Sequence, residues 1–421
     1  MEQIYDIVII GGGASGLAAA IEAGRGTAGS RSTARVLILE RLDRVGKKLL
    51  TTGNGRCNIT NRDLSPARFH TARPQAAWEV LRTLGLQQTQ AFFADLGVLF
   101  RFDETGRAFP YSLQASAVLD ALRAGADEAG AVTRCGCQVT GIRPRKGGFF
   151  VEAEGGEGQV RYTARRVILA AGGSAAPKLG SDGNGCRLLQ ALGHAVLPQT
   201  PAIVQLKTDP TYTKPLKGIK VEGKAALYID GKKERAEAGE ILFTDYGLSG
   251  PPILQISRAA ARAGKGSMIE VSVDCMPDYP FHRIYALLLE RAARRPACPL
   301  EDYFTGLLHK RVGQTLLKAC GLSLRDPAGR LTQAQWKAVA SKLKDFRFRV
   351  TGTTGWANAQ TTAGGLDLAD FSPRTLESRR VKGLYACGEA LDVDGDCGGY
   401  NLQWAWASGL LAGRSAAVSL K

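Results

Sequence analysis

Three glycines and one acidic residue near the start of the chain have the spacing of a dinucleotide-binding site. Gly11, Gly13 and Gly16 form a G-x-G-x-x-G motif, and Glu40 follows Gly16 by 24 positions. The first glycine of such a motif permits a tight turn, the second lets a pyrophosphate approach the backbone, and the third lets a helix pack closely on a sheet. A carboxylate at this distance accepts hydrogen bonds from the hydroxyls of an adenosine ribose. The pattern therefore predicts a site for FAD or NAD.

The segments around the motif are of the kind that would hold these residues in place. Tyr5–Ile10 is a short apolar run rich in β-branched residues, which is typical of a buried parallel strand. A helix is predicted over Leu17–Ala23, and its N-terminus would offer free N–H groups and a positive dipole end to a diphosphate. Arg35–Leu39 predicts a second strand, which ends at Glu40. The connection Gly24–Ala34 is expected to be disordered or exposed.

Two later strand ends favour FAD over NAD. Arg165–Gly173 is a predicted buried strand whose small terminal residues include Ala171 and Gly172, and it is similar to a strand end of glutathione-reductase-type flavoproteins. Gly383–Glu389 ends in Gly388-Glu389, which resembles the Gly-Asp pair that contacts the ribityl chain in that superfamily. Since about 200 residues separate these two parts of one site, an insertion into the FAD domain is predicted. No second strand, G-x-G-x-x-G and helix unit follows, so a separate NAD(P)H domain of that kind is not expected.

Three longer stretches carry a family resemblance. They are Gly46–Asn61, Gly239–Pro251, and Gly388–Gly395 with its continuation Gly398–Ala405. Together they resemble the BaiN/RdsA family of NAD(P)/FAD-dependent oxidoreductases, also called the aminoacetone oxidase family, over essentially the whole chain. The resemblance implies an α/β fold, with a glutathione-reductase-type Rossmann FAD-binding domain, an inserted antiparallel β domain and a small helical domain.

The resemblance also implies contacts to FAD at matching positions. These are Ala14 and Ser15 at the pyrophosphate, Glu40 and Arg41 at the adenosine, Lys47, Leu49, Asn54, Gly55, Arg56 and Asn58 along the diphosphate and isoalloxazine, Val139 at the adenine, and Gly388, Glu389, Asn401 and Leu402 at the ribityl chain and pyrimidine ring. Val139 is expected at the end of a strand formed by residues 137–139. One departure is Asp245, where many relatives have a histidine, and a histidine-based role at that position is in doubt.

The inserted region has a different pattern from the flanking parts. Short strands separated by Gly, Pro and Lys turns, followed by helices, predict a small antiparallel barrel or sheet and a helical region. The predicted strands are Ala202–Leu206, Lys224–Ile229, Glu240–Thr244, Ser267–Val273 and Phe346–Val350, and the predicted helices are Phe281–Arg294, Tyr303–Leu317 and Thr332–Lys344. We therefore expect an FAD domain at 1–191 and 355–421, a β domain at 192–278 and 345–354, and a helical domain at 279–344.

The C-terminal stretch predicts a helix from Tyr400 to about Gly409, opened by Gly398-Gly399. Its N–H groups would face the N1/O2 edge of the flavin and stabilise the negative charge of the reduced form. The family resemblance implies two kinds of activity, reduction of conjugated carbonyl steroids and oxidation of small amines. We expect hydride to pass from NADH or NADPH through flavin N5 to a small unsaturated carbonyl substrate, such as a steroid-like or bile-acid-like enone. Tyr400 and Arg56 are the candidate catalytic residues, with Tyr111 as a further possibility.

Composition leaves other functions open and excludes some. The chain has 55 Lys and Arg against 39 Asp and Glu, a net charge of +16, so an RNA-associated flavoprotein is an alternative, as are an FAD-dependent amine oxidase and a flavin-binding regulator. The basic residues are spread along the chain, and a solvated surface explains most of them. Nine irregularly spaced cysteines without a CxxC pair indicate a reduced, cytoplasmic protein with no disulfide framework, zinc or other metal site. Cys57 and Cys397 are expected to be packing residues, and no membrane span is predicted.

Overall fold

The chain divides into two compact units. The computed structural model describes residues 3–25, 34–156, 158–264 and 266–421, so most of the Gly24–Ala34 connection lies outside the described residues. The first unit is Met1–Pro201 with Gln360–Lys421, and the second is Ala202–Ala359. Within the described ranges, no helix has both the length and the apolar character that crossing a membrane requires.

Short strands and helices alternate along both units. The strands are β1 Gln3–Ile10, β2 Val36–Leu39, β3 Thr60–Asn61, β4 Phe69–His70, β5 Phe100–Phe102, β6 Arg107–Pro110, β7 Val132–Arg134, β8 Gln138–Arg145, β9 Gly148–Gly155, β10 Gly158–Leu169, β11 Val196–Ala202, β12 Leu206–Thr208, β13 Lys220–Ile229, β14 Lys232–Phe243, β15 Gly247–Ser249, β16 Ile269–Asp274, β17 Phe346–Thr353, β18 Thr361–Leu366, β19 Leu384–Ala386 and β20 Asp394–Gly395. The α-helices are α1 Ala14–Arg25, α2 Lys47–Thr51, α3 Pro74–Thr83, α4 Leu86–Asp95, α5 Ala115–Glu128, α6 Asn184–Gln190, α7 Pro210–Thr213, α8 Pro251–Arg262, α9 Phe281–Arg294, α10 Lys310–Ala319, α11 Gln333–Lys344 and α12 Tyr400–Val418.

The central sheet of the first unit has the strand order β7-β2-β1-β10-β9-β8, and β19 also pairs with β10. Strands β7, β2, β1, β10 and β19 are parallel, whereas β9 is antiparallel to both β10 and β8. The register places Leu39, Ile10, Leu169 and Ala386 in one row, so the carboxyl ends of β2, β1, β10 and β19 meet at one edge. Ligands of open α/β sheets bind at that edge.

The last helix packs against the first helix through glycines. A Cβ atom added at Gly409 or Gly413 of α12 would overlap the carbonyl oxygens of Ser15 and Ala19 in α1. Because residues four apart lie on the same helix face, the two glycines form one small-residue face against α1. The C-terminal helix is thereby held close to the helix that follows the G-x-G-x-x-G motif.

The second unit contains a barrel and the helices α8 to α11. Six strands close in the order β12-β15-β14-β13-β16-β17, and every neighbouring pair is antiparallel. Helices α9, α10 and α11 bury apolar side chains in the same hydrophobic cluster as the barrel. The predicted insertion of an antiparallel β domain and helices is confirmed. The separation of a helical domain at 279–344 stays a prediction.

Two predicted elements of the insertion are wrong, because a left-handed backbone position interrupts each. A strand was expected over Ala202–Leu206, but β11 ends at Ala202 and β12 begins at Leu206, and Ile203 between them has φ of 49°. The predicted helix Tyr303–Leu317 begins only at Lys310, after Gly306 with φ of 84°. The imidazole of His309 caps that helix by accepting a hydrogen bond from the Arg311 N–H at 3.2 Å.

Other boundaries also differ from the prediction, among them those of β8 and α12. Val139 lies near the start of β8, which continues to Arg145, instead of at the end of a short strand. Helix α12 continues past Gly409 to Val418, because its glycines serve the packing against α1 and do not end the helix.

We predict that Gly413→Ala destabilises the protein, although alanine is normally favoured over glycine inside a helix by about 1 kcal/mol. The added methyl group would overlap the Ala19 carbonyl oxygen, and overpacking of this kind costs about 1–3 kcal/mol. Thermal and urea unfolding measure the effect. Gly264→Ala is the matched control, since the nearest atom to its added Cβ is Ser267 Oγ at 3.8 Å. Equal stability of the two variants would contradict a tight α1–α12 contact.

Candidate functional site

The glycine motif forms a tight turn between β1 and α1, open on one side. Gly11 has φ of 107°, and a Cβ atom there would lie 2.5 Å from the Ala170 carbonyl oxygen. A Cβ at Gly16 would overlap the Gly11 carbonyl oxygen, which lets α1 begin directly against the strand end. A Cβ at Gly13 would meet nothing within 4 Å. The turn is therefore closed against β10 and open at Gly13, as a bound diphosphate requires.

Glu40 is buried at the end of β2 and holds two loops together. One carboxylate oxygen accepts from the Gly12 N–H and the other from the Leu42 N–H, each at 2.9 Å. The side chain is 8% exposed. Each carboxylate oxygen can accept more than one hydrogen bond, so this arrangement leaves acceptor capacity for ribose hydroxyls.

The predicted adenosine residues lie in a second network. Arg41 forms an ion pair with Asp182, with 2.5 Å between Nη1 and Oδ2. Burial raises the pKa of Asp182, but the hydrogen bonds from Arg41 and the Asn184 N–H outweigh it and lower the pKa overall. The Asn184 side chain donates to the Val139 carbonyl oxygen at 3.0 Å. Arg41 and Val139, far apart in sequence, thus belong to one group of contacts around residues 182–184.

The strand end at Ala171 and Gly172 has little free space. Gly172 has φ of 75°, and its added Cβ would lie 2.8 Å from Ser181 Oγ. Ala171 packs against Gly185, where a Cβ atom would lie 3.0 Å from that of Ala171. These small residues let the segment 181–185 approach the carboxyl end of β10.

The two adjacent lysines of α2 have different partners. Lys47 forms an ion pair with Asp43, one turn earlier, and that interaction lowers the pKa of the Asp43 carboxyl. Lys48 instead reaches Glu389, with 2.8 Å between Nζ and Oε2. The other Glu389 oxygen accepts from the Thr362 N–H at 3.0 Å and from its hydroxyl at 2.7 Å.

The loop after α2 has an unusual backbone. Gly53, Asn54 and Gly55 all have positive φ, and Asn54 does so without being glycine. A Cβ at Gly55 would meet nothing within 4 Å, so this part of the loop is open to a ligand. Leu49 is buried and anchors the start of the loop. Burial raises the pKa of Cys57 to about 12, so this thiol stays protonated and acts as a packing residue.

Arg56 and Asn58, two predicted residues of this loop, differ in their partners. Arg56 is exposed, its guanidinium lies 4.9 Å from the centre of the Phe109 ring, and its Nε donates to the Gly53 carbonyl oxygen at 3.3 Å. Asn58 holds the start of α12, since its side-chain oxygen, oriented toward Gly399, accepts from the Gly399 N–H at 3.0 Å. Arg56 thus lies on the exposed side of the loop, and Asn58 supports the start of α12.

Hydrogen bonds hold the predicted C-terminal residues Gly388 and Asn401 in place. Gly388 has φ of 69°, and its N–H donates to Ser408 Oγ at 2.8 Å. The Asn401 side chain accepts from the Gly395 N–H at 2.8 Å and donates to the Gly395 carbonyl oxygen at 2.9 Å. Asn401 therefore closes the loop before α12 with both of its polar atoms. Leu402, next along the helix, is partly buried against the main core.

Tyr400 lies at the first position of α12 and is 4% exposed. Its ring makes an edge contact with Phe69, with 5.7 Å between the centroids, and the Arg68 guanidinium lies 5.9 Å from its centre. Burial raises the pKa of the Tyr400 phenol. Nearby, His70 Nε2 lies 2.9 Å from an oxygen of the buried Asp396. Tyr111, in contrast, is 68% exposed.

The structure brings most predicted residues to the carboxyl edge of the parallel strands and adds others. Other residues hold the predicted ones and were not themselves predicted, namely Lys48, Thr362, Asp182 and Asn184. No local pattern marks them, because each acts on a partner that is distant in sequence. Among the described residues, no group of His, Cys, Asp and Glu could hold a metal ion.

The residues at this edge fit FAD. The open concavity at Gly13 and the first turn of α1 suit a diphosphate, and the buried carboxylate of Glu40 suits a ribose. The open loop at Gly55 and the supported start of α12 lie on segments that the family resemblance assigns to the flavin half. The N–H donors at the first turn of α1 thus suit the diphosphate of FAD, and the carboxylate acceptor of Glu40 suits its ribose.

Comparison with known proteins shows the family of the chain. The profile of the HI0933-like protein Rossmann domain matches residues 5–415. The chain is 39% identical over 412 residues to 3-dehydro-bile acid Δ(4,6)-reductase of Clostridium scindens, with 98% of each chain covered. It is 31% identical over 417 residues to ribosomal RNA dihydrouridine synthase of Escherichia coli, with 96% of each chain covered.

A solved structure supports the fold. The 3-ketosteroid Δ1-dehydrogenase of Sterolibacterium denitrificans, in complex with 1,4-androstadiene-3,17-dione, matches with a TM-score of 0.53 at 14% identity, covering 99% of this chain and 100% of that one. The predicted Rossmann-type FAD-binding fold is confirmed. Since the profile and both relatives match nearly the whole sequence, the chain belongs to the HI0933-like Rossmann family of flavoprotein oxidoreductases.

Proposed function

We propose that this protein is an FAD-dependent reductase that adds hydrogen to a carbon–carbon double bond conjugated with a carbonyl group, in a steroid-like or bile-acid-like substrate. NADH or NADPH would supply the hydride. The observation that carries the proposal is the 39% identity to the bile acid reductase over nearly the whole of both chains. The arrangement of Gly13, Glu40 and the loop at Gly55 supports it, because these residues fit the cofactor that such a reaction needs.

The names of the two relatives describe one kind of chemistry. A Δ(4,6)-reductase of a 3-dehydro-bile acid, by its name, adds hydrogen to double bonds conjugated with a 3-oxo group. A dihydrouridine synthase, by its name, saturates a pyrimidine double bond that is also conjugated with a carbonyl. Saturation of such a conjugated bond by hydride transfer would add the hydride to the carbon distant from the carbonyl and a proton to the carbon next to it. A shared reaction with different substrates explains how one fold serves both.

The chain's own residues would bind, orient and protonate in this reaction. Bound FAD, once reduced, would supply the hydride. Glu40 and the glycine loop would hold the adenosine and diphosphate, and the start of α12 would stabilise negative charge through its N–H groups. Tyr400 is the proposed proton donor. Burial raises the pKa of its phenol, so the protonated form that a donor needs is present at neutral pH.

The test is anaerobic stopped-flow absorbance of the purified holoprotein near 450 nm. We expect NADH or NADPH to bleach the flavin, and a 3-oxo-4-ene steroid added afterwards to restore the absorbance. The matched saturated 3-oxo steroid should not restore it, because it has the carbonyl but lacks the conjugated double bond. Bleaching by a small amine, with no response to either nucleotide, would contradict the proposal and favour the amine oxidase alternative.

We predict that Tyr400→Phe slows enone-dependent flavin reoxidation about 100-fold or more, the loss expected for removal of a general acid. Flavin reduction by NAD(P)H should keep its rate, because that step needs no proton from Tyr400. The enone step should be independent of pH through the neutral range, since a raised pKa keeps the phenol protonated up to at least its usual value near 10. Tyr385→Phe is the control, another buried phenol, whose hydroxyl donates to Ser419. If Tyr400→Phe leaves the rate of enone-dependent flavin reoxidation unchanged, Tyr400 is a packing residue and not the proton donor.

A second candidate, reduction of a uridine in RNA, is favoured by the charge and surface of the second unit. Residues 202–359 contain 25 Lys and Arg against 15 Asp and Glu, a net +10 of the +16 on the whole chain. On α9 of the same unit, Phe281 is 36% exposed and stacks on Tyr285 with 6.1 Å between the centroids. The exposed Arg283 follows on the same helix. Exposed aromatic and basic side chains are what single-stranded RNA binds.

If RNA is the substrate, fluorescence anisotropy with a single-stranded RNA should show an affinity that falls by about 10³–10⁵-fold between about 50 and 200 mM salt. Phe281→Ala should weaken binding about tenfold, because it removes a stacking surface. Tyr246→Ala, which removes another exposed aromatic ring of the same unit, should not. Weak binding that is insensitive to both salt and Phe281→Ala would eliminate the RNA candidate and leave the steroid reductase proposal unaffected.

A further inference from the structure

One ion pair crosses the edge of the sheet on which the cofactor site is built. Lys48 belongs to α2, which follows β2, and Glu389 follows β19. Strands β1 and β10 separate β2 from β19, a distance of about 14 Å at the usual strand spacing. The 2.8 Å contact between Lys48 and Glu389 therefore joins the two sides of the edge at which β1 leads into the glycine loop.

The pair is built into its surroundings. The Lys48 side chain is 23% exposed and that of Glu389 is 20% exposed. Thr362 donates twice to Glu389, and the Thr362 hydroxyl accepts from the Ser174 N–H at 2.8 Å and the Ala175 N–H at 3.0 Å. The carboxylate is thus held directly by Lys48 and Thr362, and Thr362 is held in turn by the segment Ser174–Ala175. Lys48 forms the ion pair with this carboxylate, whereas the neighbouring Lys47 is paired with Asp43.

The charge of Glu389 is unfavourable for an anionic ligand. FAD has a diphosphate, and its reduced flavin is negative, so an uncompensated carboxylate at this edge would repel both. In a partly buried site such repulsion is screened much less than in water. The carboxylate is needed in place, since it orders Thr362 and, through it, the backbone after β10.

We propose that Lys48 is a positioning residue that holds Glu389 in place and cancels its negative charge, which makes this edge of the sheet compatible with FAD. The inference rests only on the FAD part of the proposed function and is independent of the substrate. Lys48 acts through Glu389 and does not itself carry out chemistry. Its removal leaves Glu389 held by Thr362, with a negative charge that Lys48 no longer cancels.

The test is a double-mutant cycle on FAD affinity, measured by flavin fluorescence titration of the apoprotein. We expect Lys48→Met to weaken FAD binding about tenfold, equivalent to about 1.4 kcal/mol. Glu389→Gln in the same chain should recover most of that loss, because it removes the charge that Lys48 no longer cancels. The flavin midpoint potential should shift to more negative values in Lys48→Met and return toward the wild-type value in the double variant.

Two further variants make the result decisive. Lys48→Arg keeps the charge and should keep the affinity, so it separates charge from folding if Lys48→Met proves unstable in thermal melts. Lys310→Met removes a lysine from an exposed ion pair with Asp302 in the second unit and should leave FAD affinity unchanged. The proposal is overturned if Lys48→Met binds FAD like the wild type, or if Glu389→Gln restores nothing, which would make Lys48 a direct ligand. Failure of the wild-type chain to bind FAD at all would instead reject the proposed function.

Discussion

Close approach of backbone segments at the carboxyl edge of the parallel sheet is the constraint on which the cofactor site depends. Gly11 lies against Ala170, Gly16 against Gly11, and a Cβ atom at Gly388 would overlap the hydroxyl of Ser15. Parallel strands need crossover connections, so the segments that meet here come from distant parts of the chain. Only residues without side chains let them meet this closely. The site is therefore a property of the packing between β1, α1, β10 and β19, and the polar side chains are added to that frame.

The parts of the fold that follow from local pattern were predictable from the sequence. Strand β1, the glycine turn and helix α1 succeed one another within residues 3–25, and each has its own signature of apolar run, glycine spacing and helix formers. The errors occurred where one backbone angle decides the structure. Ile203 adopts a positive φ that its β-branched side chain disfavours, and nothing in its type indicates this. In α12 the error has another cause. Gly409 suggested the end of the helix, but it lies inside the helix and allows α1 to pack closely.

The candidate site was predictable as a set of segments and less so as a set of contacts. Adjacent lysines on α2 are equivalent by sequence, and only the direction in which each side chain leaves the helix separates the partner of Lys47 from that of Lys48. Asn401 was expected at the flavin, and the structure uses both ends of its amide to close a loop. Such roles depend on partners brought together by the tertiary fold, which composition and spacing do not encode. The family resemblance names segments and residue types, and it does not say which partner each side chain has.

The interruption of the first unit by residues 202–359 has a consequence for biosynthesis. The second unit is contiguous and has its own hydrophobic cluster, so it can fold as soon as it leaves the ribosome. Strand β19 pairs with β10, and α12 packs against α1 through Gly409 and Gly413. The first unit therefore cannot be completed until both elements have been translated. Its early segments must wait, with apolar surface uncovered, while the intervening unit is made. The unit that contains the candidate cofactor site is thus completed only after the intervening unit has been translated.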